Sequence, residues 1–131
     1  MQKYNFILIL LLFQATVTYS QATDCTKFRE GKFKTADSRV GAIVISDRRG
    51  RFQTESTDAL KLVIRFNITW QDNCTYTLTL DKILRNENKI DIPASLAVKV
   101  KILETLAGSY IQEVSSTITN GAYKTEVIKI E

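Results

Sequence analysis

A chain of 131 residues is long enough for one domain of ordinary size and too short for two. It carries 18 basic and 14 acidic residues, a formal net charge of +4, and because both signs are interspersed we expect no nucleic-acid partner. It contains no His, which excludes Ser–His–Asp and Cys–His nucleophile systems and imidazole metal ligands.

The first residues have the pattern of an export signal. Lys3 gives a basic start, and the apolar run FILILLLF (6–13) is well below the ~20 residues that span a bilayer. We predict a signal peptide over 1–20 and a single β domain over 21–131, secreted or periplasmic, with no membrane span in the mature form. A retained anchor and a lipoprotein attached at Cys25 are the alternatives, and Asp24 fits lipid attachment poorly.

Cys25 and Cys74 are the two cysteines of the chain. In the oxidising compartment that an export signal implies, such a pair usually forms a disulfide, and we predict one here. Two buried free thiols are the alternative. We expect no metal, because two thiols without His do not complete a tetrahedral zinc shell.

From residue 31 onward the chain predicts about eight strands separated by turn residues. They are residues 31–36, 41–46, 51–56, 59–70, 74–83, 96–106, 110–119 and 122–130. Tight turns at DRRG (47–50) and NG (120–121) favour an all-β antiparallel meander that curls into a barrel or half-barrel. A two-sheet β-sandwich is the alternative, but it needs long crossovers, and 84–95 is the one long connection.

The segment LKLVIRFNITW (60–70) alternates most clearly between apolar and polar residues. One face carries Leu60, Leu62, Ile64, Phe66, Ile68 and Trp70. This apolar stripe is the wall of a solid core or of a ligand cavity, and periodicity alone does not separate the two. The candidate ligand-facing residues are Ile64, Phe66, Ile68, Trp70, Leu78 and Val100.

A later strand, YIQEVSSTIT (110–119), is less regular. Gln112 and Ser116 share a face with Tyr110 and Val114, so polar side chains point inward. This pattern indicates a partly wet interior or a β-bulge.

Three carboxylates on the last three predicted strands form the one enzymatic candidate, Glu104, Glu113 and Glu126. We interpret them as cross-strand neighbours of lysines on a solvated face, among them Lys101 and Lys124. The glycines are scattered singly, without a phosphate-binding loop. We therefore predict no catalytic residues, no cofactor and no enzymatic activity.

Two basic clusters accompany aromatic residues near the start of the domain. Basic residues flank Phe28 and Phe33, and Arg48, Arg49 and Arg51 surround the predicted turn at 47–50. Such interleaving can bind single-stranded nucleic acid. We interpret both clusters instead as solvated turn and edge residues.

Four segments carry a family resemblance: DCTKFREGKFK (24–34), IVISDRRGRFQTE (43–55), ITWQDNCTYTLTL (68–80) and TEVIKIE (125–131). Together they resemble a group of small exported β-proteins of Gram-negative bacteria with uncharacterised function. The hairpin around Cys74 is the most specific piece, whereas Ser46 and Asp47 stand where the group has an Arg.

The resemblance implies a lipocalin-like secreted or periplasmic β-protein, assigns no catalytic residue, and is consistent with a bridge between Cys25 and Cys74. Members are sometimes labelled DNA topoisomerase IV, but this chain is too short for a strand-passing subunit. We expect a binding module for an apolar or amphipathic small molecule. The alternative is a cell-envelope structural or protein-interaction module with a filled core, whose protein partner the sequence does not identify.

Overall fold

The computed structural model describes residues 23–37 and 41–131, so the predicted signal peptide lies outside the described residues. Within these ranges, eight antiparallel strands follow one another around a closed barrel. They are β1 (Gly31–Asp37), β2 (Ala42–Arg49), β3 (Phe52–Thr57), β4 (Leu62–Asp72), β5 (Thr75–Asn86), β6 (Ala97–Thr105), β7 (Ser109–Ser116) and β8 (Tyr123–Lys129). The predicted all-β barrel is confirmed, and the sandwich alternative is not what the chain forms.

The barrel closes where β1 pairs with β8. Lys34 is the cross-strand partner of Ile45 on β2 and of Ile128 on β8. The backbone amide of Lys32 donates to the carbonyl oxygen of Glu131 at 3.0 Å, and that of Ile130 donates to Lys32 at 2.8 Å. The closed ladder leaves no open edge on the described sheet for another chain to join.

The β2–β3 turn lies later than the sequence pattern predicts. Arg49 pairs with Phe52, so the connection is Gly50 and Arg51 alone, with Gly50 at a φ of +56°. Residues 47–49 therefore belong to β2 and not to a turn. Because side chains alternate along a strand, this extension sends Arg48 into the barrel, and its prediction as a solvated turn residue is wrong.

The NG pair at 120–121 does not form the predicted two-residue hairpin. β7 ends at Ser116, and the amide of Thr117 continues the pairing with β6 by donating to the carbonyl oxygen of Ala97 at 3.0 Å. The Ser116 and Thr119 hydroxyls lie 2.7 Å apart and share a hydrogen bond. These local bonds hold a longer loop between β7 and β8.

One end of the barrel is closed by the N-terminal segment. A 3-10 helix, Thr26–Phe28, places the Phe28 ring 5.0 Å from the Tyr110 ring, both fully buried. The predicted disulfide between Cys25 and Cys74 is confirmed and ties this helix to the β4–β5 turn. We call this the closed end, and it also holds the β2–β3 and β6–β7 turns.

The opposite end, which we call the loop end, carries the connections β3–β4, β5–β6 and β7–β8. The disulfide fits an extracellular or periplasmic protein. Within the described residues, no helix has the length and apolar character needed to cross a membrane.

The apolar stripe of β4 faces the barrel interior, as its alternation predicts. Ile64, Phe66 and Ile68 are buried, and Leu62 and Trp70 are half-buried beside them. The strand begins at Leu62 instead of residue 59, because a turn precedes it in which Lys61 adopts a φ of +48°.

Candidate ligand-binding site

Arg48 lies inside the barrel next to the closed end, with 1% of its surface exposed. Its Nη1 donates to the carbonyl oxygen of Phe28, and its Nη2 donates to the hydroxyls of Tyr76 (2.8 Å) and Tyr110 (3.1 Å). Its guanidinium also lies 4.5 Å from the centre of the Phe33 ring. A buried cation needs such partners, because removing an unpaired charge from water costs on the order of several kcal/mol.

The contacts in this network shift the pKa of Tyr76 and that of Arg48. Burial raises the pKa of Tyr76 well above its usual 10.0; proximity to Tyr110 adds to this effect and Arg48 opposes it. Burial alone would lower the pKa of Arg48, but Tyr76 and Tyr110 outweigh it, and the pKa of Arg48 is raised. At neutral pH Tyr76 is therefore neutral and Arg48 is charged.

Gln53 links Arg48 to Glu55 through two hydrogen bonds. Arg48 Nε donates to Gln53 Oε1 at 2.8 Å, and Gln53 Nε2 donates to Glu55 Oε1 at 2.9 Å. Because an arginine side chain only donates hydrogen bonds, the amide oxygen of Gln53 must face it. The amide nitrogen then faces Glu55 and the interior of the barrel.

An inner cavity of about 140 Å³ borders this network inside the barrel. Gln53, Glu55, Tyr76 and Tyr110 contribute to its polar part. The remaining lining residues are Thr35, Val44, Leu78, Val98, Val100, Gln112, Val114, Tyr123, Thr125 and Val127. The inner cavity therefore has a polar floor and walls of mixed polarity.

A larger outer cavity of about 470 Å³ lies at the loop end, and its walls are mainly apolar. Leu60, Leu62, Ile92 and Leu96 are among its lining residues. It shares Val44, Glu55, Val98, Val114 and Tyr123 with the inner cavity, so the two are adjacent. Together they extend from the Arg48 network to the loop end of the barrel.

The predicted ligand-facing residues divide between cavity and packed core. Leu78 and Val100 line the inner cavity. Ile64 and Phe66 line the outer cavity. The last two, Ile68 and Trp70, line neither: Ile68 is packed in the core, and the Trp70 ring lies 4.7 Å from the Tyr76 ring at a tilted angle.

Polar residues of β7 reach the cavities, as the irregular pattern of that strand indicates. Gln112 lines the inner cavity and donates a hydrogen bond to Thr125 at 3.0 Å. Ser116 lines the outer cavity. Polar side chains of β7 therefore do face the interior, and the β6–β7 pairing also contains an irregularity of the kind a β-bulge produces, between Ile102 and Glu104.

Sequence reasoning missed the polar residues Arg48, Gln53 and Glu55. On β3 both faces are polar, so alternation gives no indication of which one points inward. For Arg48 a signal did exist: it is four residues from Val44, on the same face of β2. A correct end for β2 would have placed it inside.

The remaining candidate groups lie away from the cavities. Glu113 is the cross-strand partner of Lys101 and of Lys124, the arrangement expected of a solvated face. Phe28 and Phe33 are fully buried, so they offer no surface on which nucleic-acid bases could stack.

The fold and the cavities define a small closed eight-stranded β-barrel with two adjacent internal cavities. Comparison with protein-family models, curated proteins and solved structures finds no match to this chain. The lipocalin-like assignment therefore rests on the sequence segments alone and is not confirmed.

Proposed function

We propose that this protein binds an amphipathic small molecule inside its barrel. The observation that supports the proposal best is the outer cavity of about 470 Å³ behind Leu62, Ile64 and Phe66. A solid core would have those side chains packed against the opposite wall at the density of an organic crystal. Four of the six residues of the apolar stripe instead border open space.

The distribution of polar groups supports an amphipathic ligand over a purely apolar one. Small-molecule sites combine apolar walls with a few placed polar groups that fix orientation. Here the apolar walls lie at the loop end, the polar groups of Gln53 and Tyr110 lie deeper, and Glu55 lines both cavities. A ligand would enter with its polar group towards the closed end and its apolar body in the outer cavity.

Native mass spectrometry of the protein purified from its own cells without detergent tests this proposal. We expect a reproducible additional mass that is lost on denaturation, and that mass identifies the ligand. A protein that carries no additional mass and also takes up no added probe would contradict the proposal. It would favour a structural or protein-interaction role.

The added probe can be the uncharged fluorophore N-phenyl-1-naphthylamine, whose emission rises in apolar surroundings. Val98 lines both cavities, so Val98→Trp fills their junction. The adjacent Lys99 is exposed, and Lys99→Trp adds the same ring to the outside of the barrel. We expect Val98→Trp to abolish probe uptake and Lys99→Trp to retain it.

A further inference from the structure

We infer that the ligand carries an uncharged hydroxyl group that binds Thr57, in addition to the polar group that points towards the closed end. This inference rests on the proposed function and names the class of ligand, a long-chain alcohol whose hydroxyl is well separated from a second polar group. It follows from a buried hydroxyl without a partner, from a side pocket that borders the outer cavity, and from the way in which the buried charges offset each other.

Thr57 is the last residue of β3, next to the loop end, and 8% of its surface is exposed. Its hydroxyl oxygen is buried and has no hydrogen-bond partner in the part of the chain that the structure describes. Buried hydroxyls of folded proteins are nearly always hydrogen-bonded, because burying one without a partner costs free energy. A ligand group that pairs with this oxygen would remove that cost.

The side pocket lies between β2, β3 and β4, has a volume of about 160 Å³ and is lined by Thr57. Most of its other lining residues are apolar, among them Val44, Leu60 and Leu62. These three also line the outer cavity, so the side pocket borders it. A ligand whose apolar body occupies the outer cavity can therefore place a polar group at Thr57.

The buried charges indicate that this polar group is uncharged. Among the described residues that line the side pocket, Glu55 is the charged one, and it is already engaged in the Arg48 network. Gln53 donates to it at 2.9 Å. Burial opposes the raised pKa of Arg48, and the charge of Glu55 is one of the contributions, after those of two tyrosines, that outweigh burial. Because the carboxylate and the guanidinium offset each other, a ligand group of either sign would leave water without a counter-charge of its own.

A hydroxyl fits Thr57 better than other uncharged polar groups do. The threonine hydroxyl is both a donor and an acceptor of hydrogen bonds. A ligand hydroxyl has the same two capacities, so it pairs with Thr57 in either direction. A ketone, an ether or an ester only accepts, and it therefore leaves the acceptor capacity of the threonine oxygen unused.

The position of Thr57 also sets how far this hydroxyl lies from the deeper polar group of the ligand. Gln53, at the polar floor of the inner cavity, and Thr57 belong to the same strand, and alternation places both side chains on its inner face. A strand rises about 3.3 Å per residue, so the two positions are about 13 Å apart. The extended chain of 1,10-decanediol, which has a hydroxyl at each end, spans a similar length.

Two isomers test the inference, 1,10-decanediol and 1,2-decanediol. They contain the same polar groups, but in the second isomer both hydroxyls lie at one end, so it cannot reach Thr57 and the closed end at once. Each is titrated against the full chain carrying N-phenyl-1-naphthylamine. We expect 1,10-decanediol to displace the fluorophore at concentrations about tenfold lower than 1,2-decanediol, the difference that one additional buried hydrogen bond makes.

Two charged probes of the same chain length test the absence of charge. At pH 7, 1,10-diaminodecane carries an ammonium at each end and decanedioate carries a carboxylate at each end. We expect both to displace the fluorophore less well than 1,10-decanediol does, because their ends are more costly to remove from water.

Thr57→Val keeps the shape of the side chain but lacks the hydroxyl, and it should abolish the preference for 1,10-decanediol over 1,2-decanediol. Since the lost hydroxyl has no partner in the described protein, the Tm of this variant should stay at or above that of wild type. Thr57→Ser keeps the hydroxyl and should keep the preference. Thr54→Val is the matched control, because Thr54 lies on the outer face of β3 and lines neither the two cavities nor the side pocket; it should also keep the preference.

The outcomes separate this inference from the proposed function. If the fluorophore and all four probes fail to bind wild-type protein, the proposed function is wrong and the inference falls with it. If the fluorophore binds but 1,2-decanediol or a charged probe displaces it as well as 1,10-decanediol does, the binding function stands and the assignment of an alcohol at Thr57 is overturned. A preference that survives in Thr57→Val overturns it too.

Discussion

Arg48 and Gln53 are cross-strand partners on β2 and β3, and their side chains form a buried hydrogen bond of 2.8 Å. This contact joins the closed end of the barrel to its cavity. Behind Arg48 lies the carbonyl oxygen of Phe28 in the N-terminal helix, and beyond Gln53 lies the carboxylate of Glu55. The N-terminal segment that closes the barrel and a residue that lines both cavities are therefore connected through one guanidinium.

Replacing Arg48 with Met should destabilise the protein strongly. Met has a similar length but no donors, so the Phe28 carbonyl, the Gln53 oxygen and two tyrosine hydroxyls lose their partner in a buried site. We expect the free energy of unfolding to fall by about 3 kcal/mol. Urea unfolding followed by far-UV circular dichroism measures the loss.

Arg49→Met is the matched control. Arg49 is exposed, and its ion pair with Asp47 at 2.9 Å lies on the surface, where such pairs contribute little. The free energy of unfolding should change by about 0.5 kcal/mol or less. Equal losses in the two variants would mean that the buried network does not stabilise the barrel.

The architecture could be predicted because apolar alternation and turn residues are local signals. The alternation from Leu62 to Trp70 fixes which face of β4 is inside, and short connections make neighbouring strands pair. Closure of the meander into a barrel follows from the cost of leaving two open edges. The Cys25–Cys74 bridge followed from the predicted compartment.

The polar floor of the cavity could not be predicted, because it depends on where one strand ends. An arginine beside a turn is ordinarily solvated, and only pairing of Arg49 with Phe52 places Arg48 on the inner face. Its partners Tyr76 and Tyr110 are distant in sequence, 28 and 62 residues away. Local periodicity contains no information on such long-range contacts.

Gly31→Ala should weaken the seam between β1 and β8. Gly31 has a φ of +128°, and an added Cβ would lie 2.4 Å from the carbonyl oxygen of Glu131 and 2.8 Å from Cε of Lys129. The lysine can move, but the backbone oxygen belongs to the closing ladder. We expect a loss of about 2 kcal/mol in the free energy of unfolding.

Gly108→Ala serves as its control, because a Cβ there would meet nothing within 4 Å. Thermal unfolding of the two variants should separate them, with a lower Tm for Gly31→Ala and a Tm close to wild type for Gly108→Ala. A tolerated Gly31→Ala would contradict the tight approach of the chain end to β1.

Removing the disulfide should lower stability and loosen the closed end. The bridge spans 49 residues, and closing a loop of that length restricts the unfolded chain by about 4 kcal/mol in the chain-entropy model. We expect Cys25→Ala with Cys74→Ala, or reductant added to wild type, to lower Tm clearly. A melting curve that reductant leaves unchanged would show that the bridge does not stabilise the barrel.

Tyr76 should make the protein sensitive to alkaline pH. Burial, the main cause, holds the pKa of Tyr76 well above 10.0 in the folded protein, whereas the unfolded chain ionises near the ordinary value. Above pH ~10 the unfolded state therefore binds fewer protons than the folded state, and the free energy of unfolding falls as pH rises. The stability that Tyr76 contributes is fully present below that pH.

Urea unfolding at a series of pH values from neutral to strongly alkaline measures this dependence. A single tyrosine contributes a slope of up to about 1.4 kcal/mol per pH unit above pH ~10. In Tyr76→Phe this contribution disappears, so its stability should fall less steeply there, although it starts lower because a hydrogen bond from Arg48 is lost. Identical alkaline slopes in the two proteins would mean that Tyr76 ionises as readily in the folded barrel as in the unfolded chain.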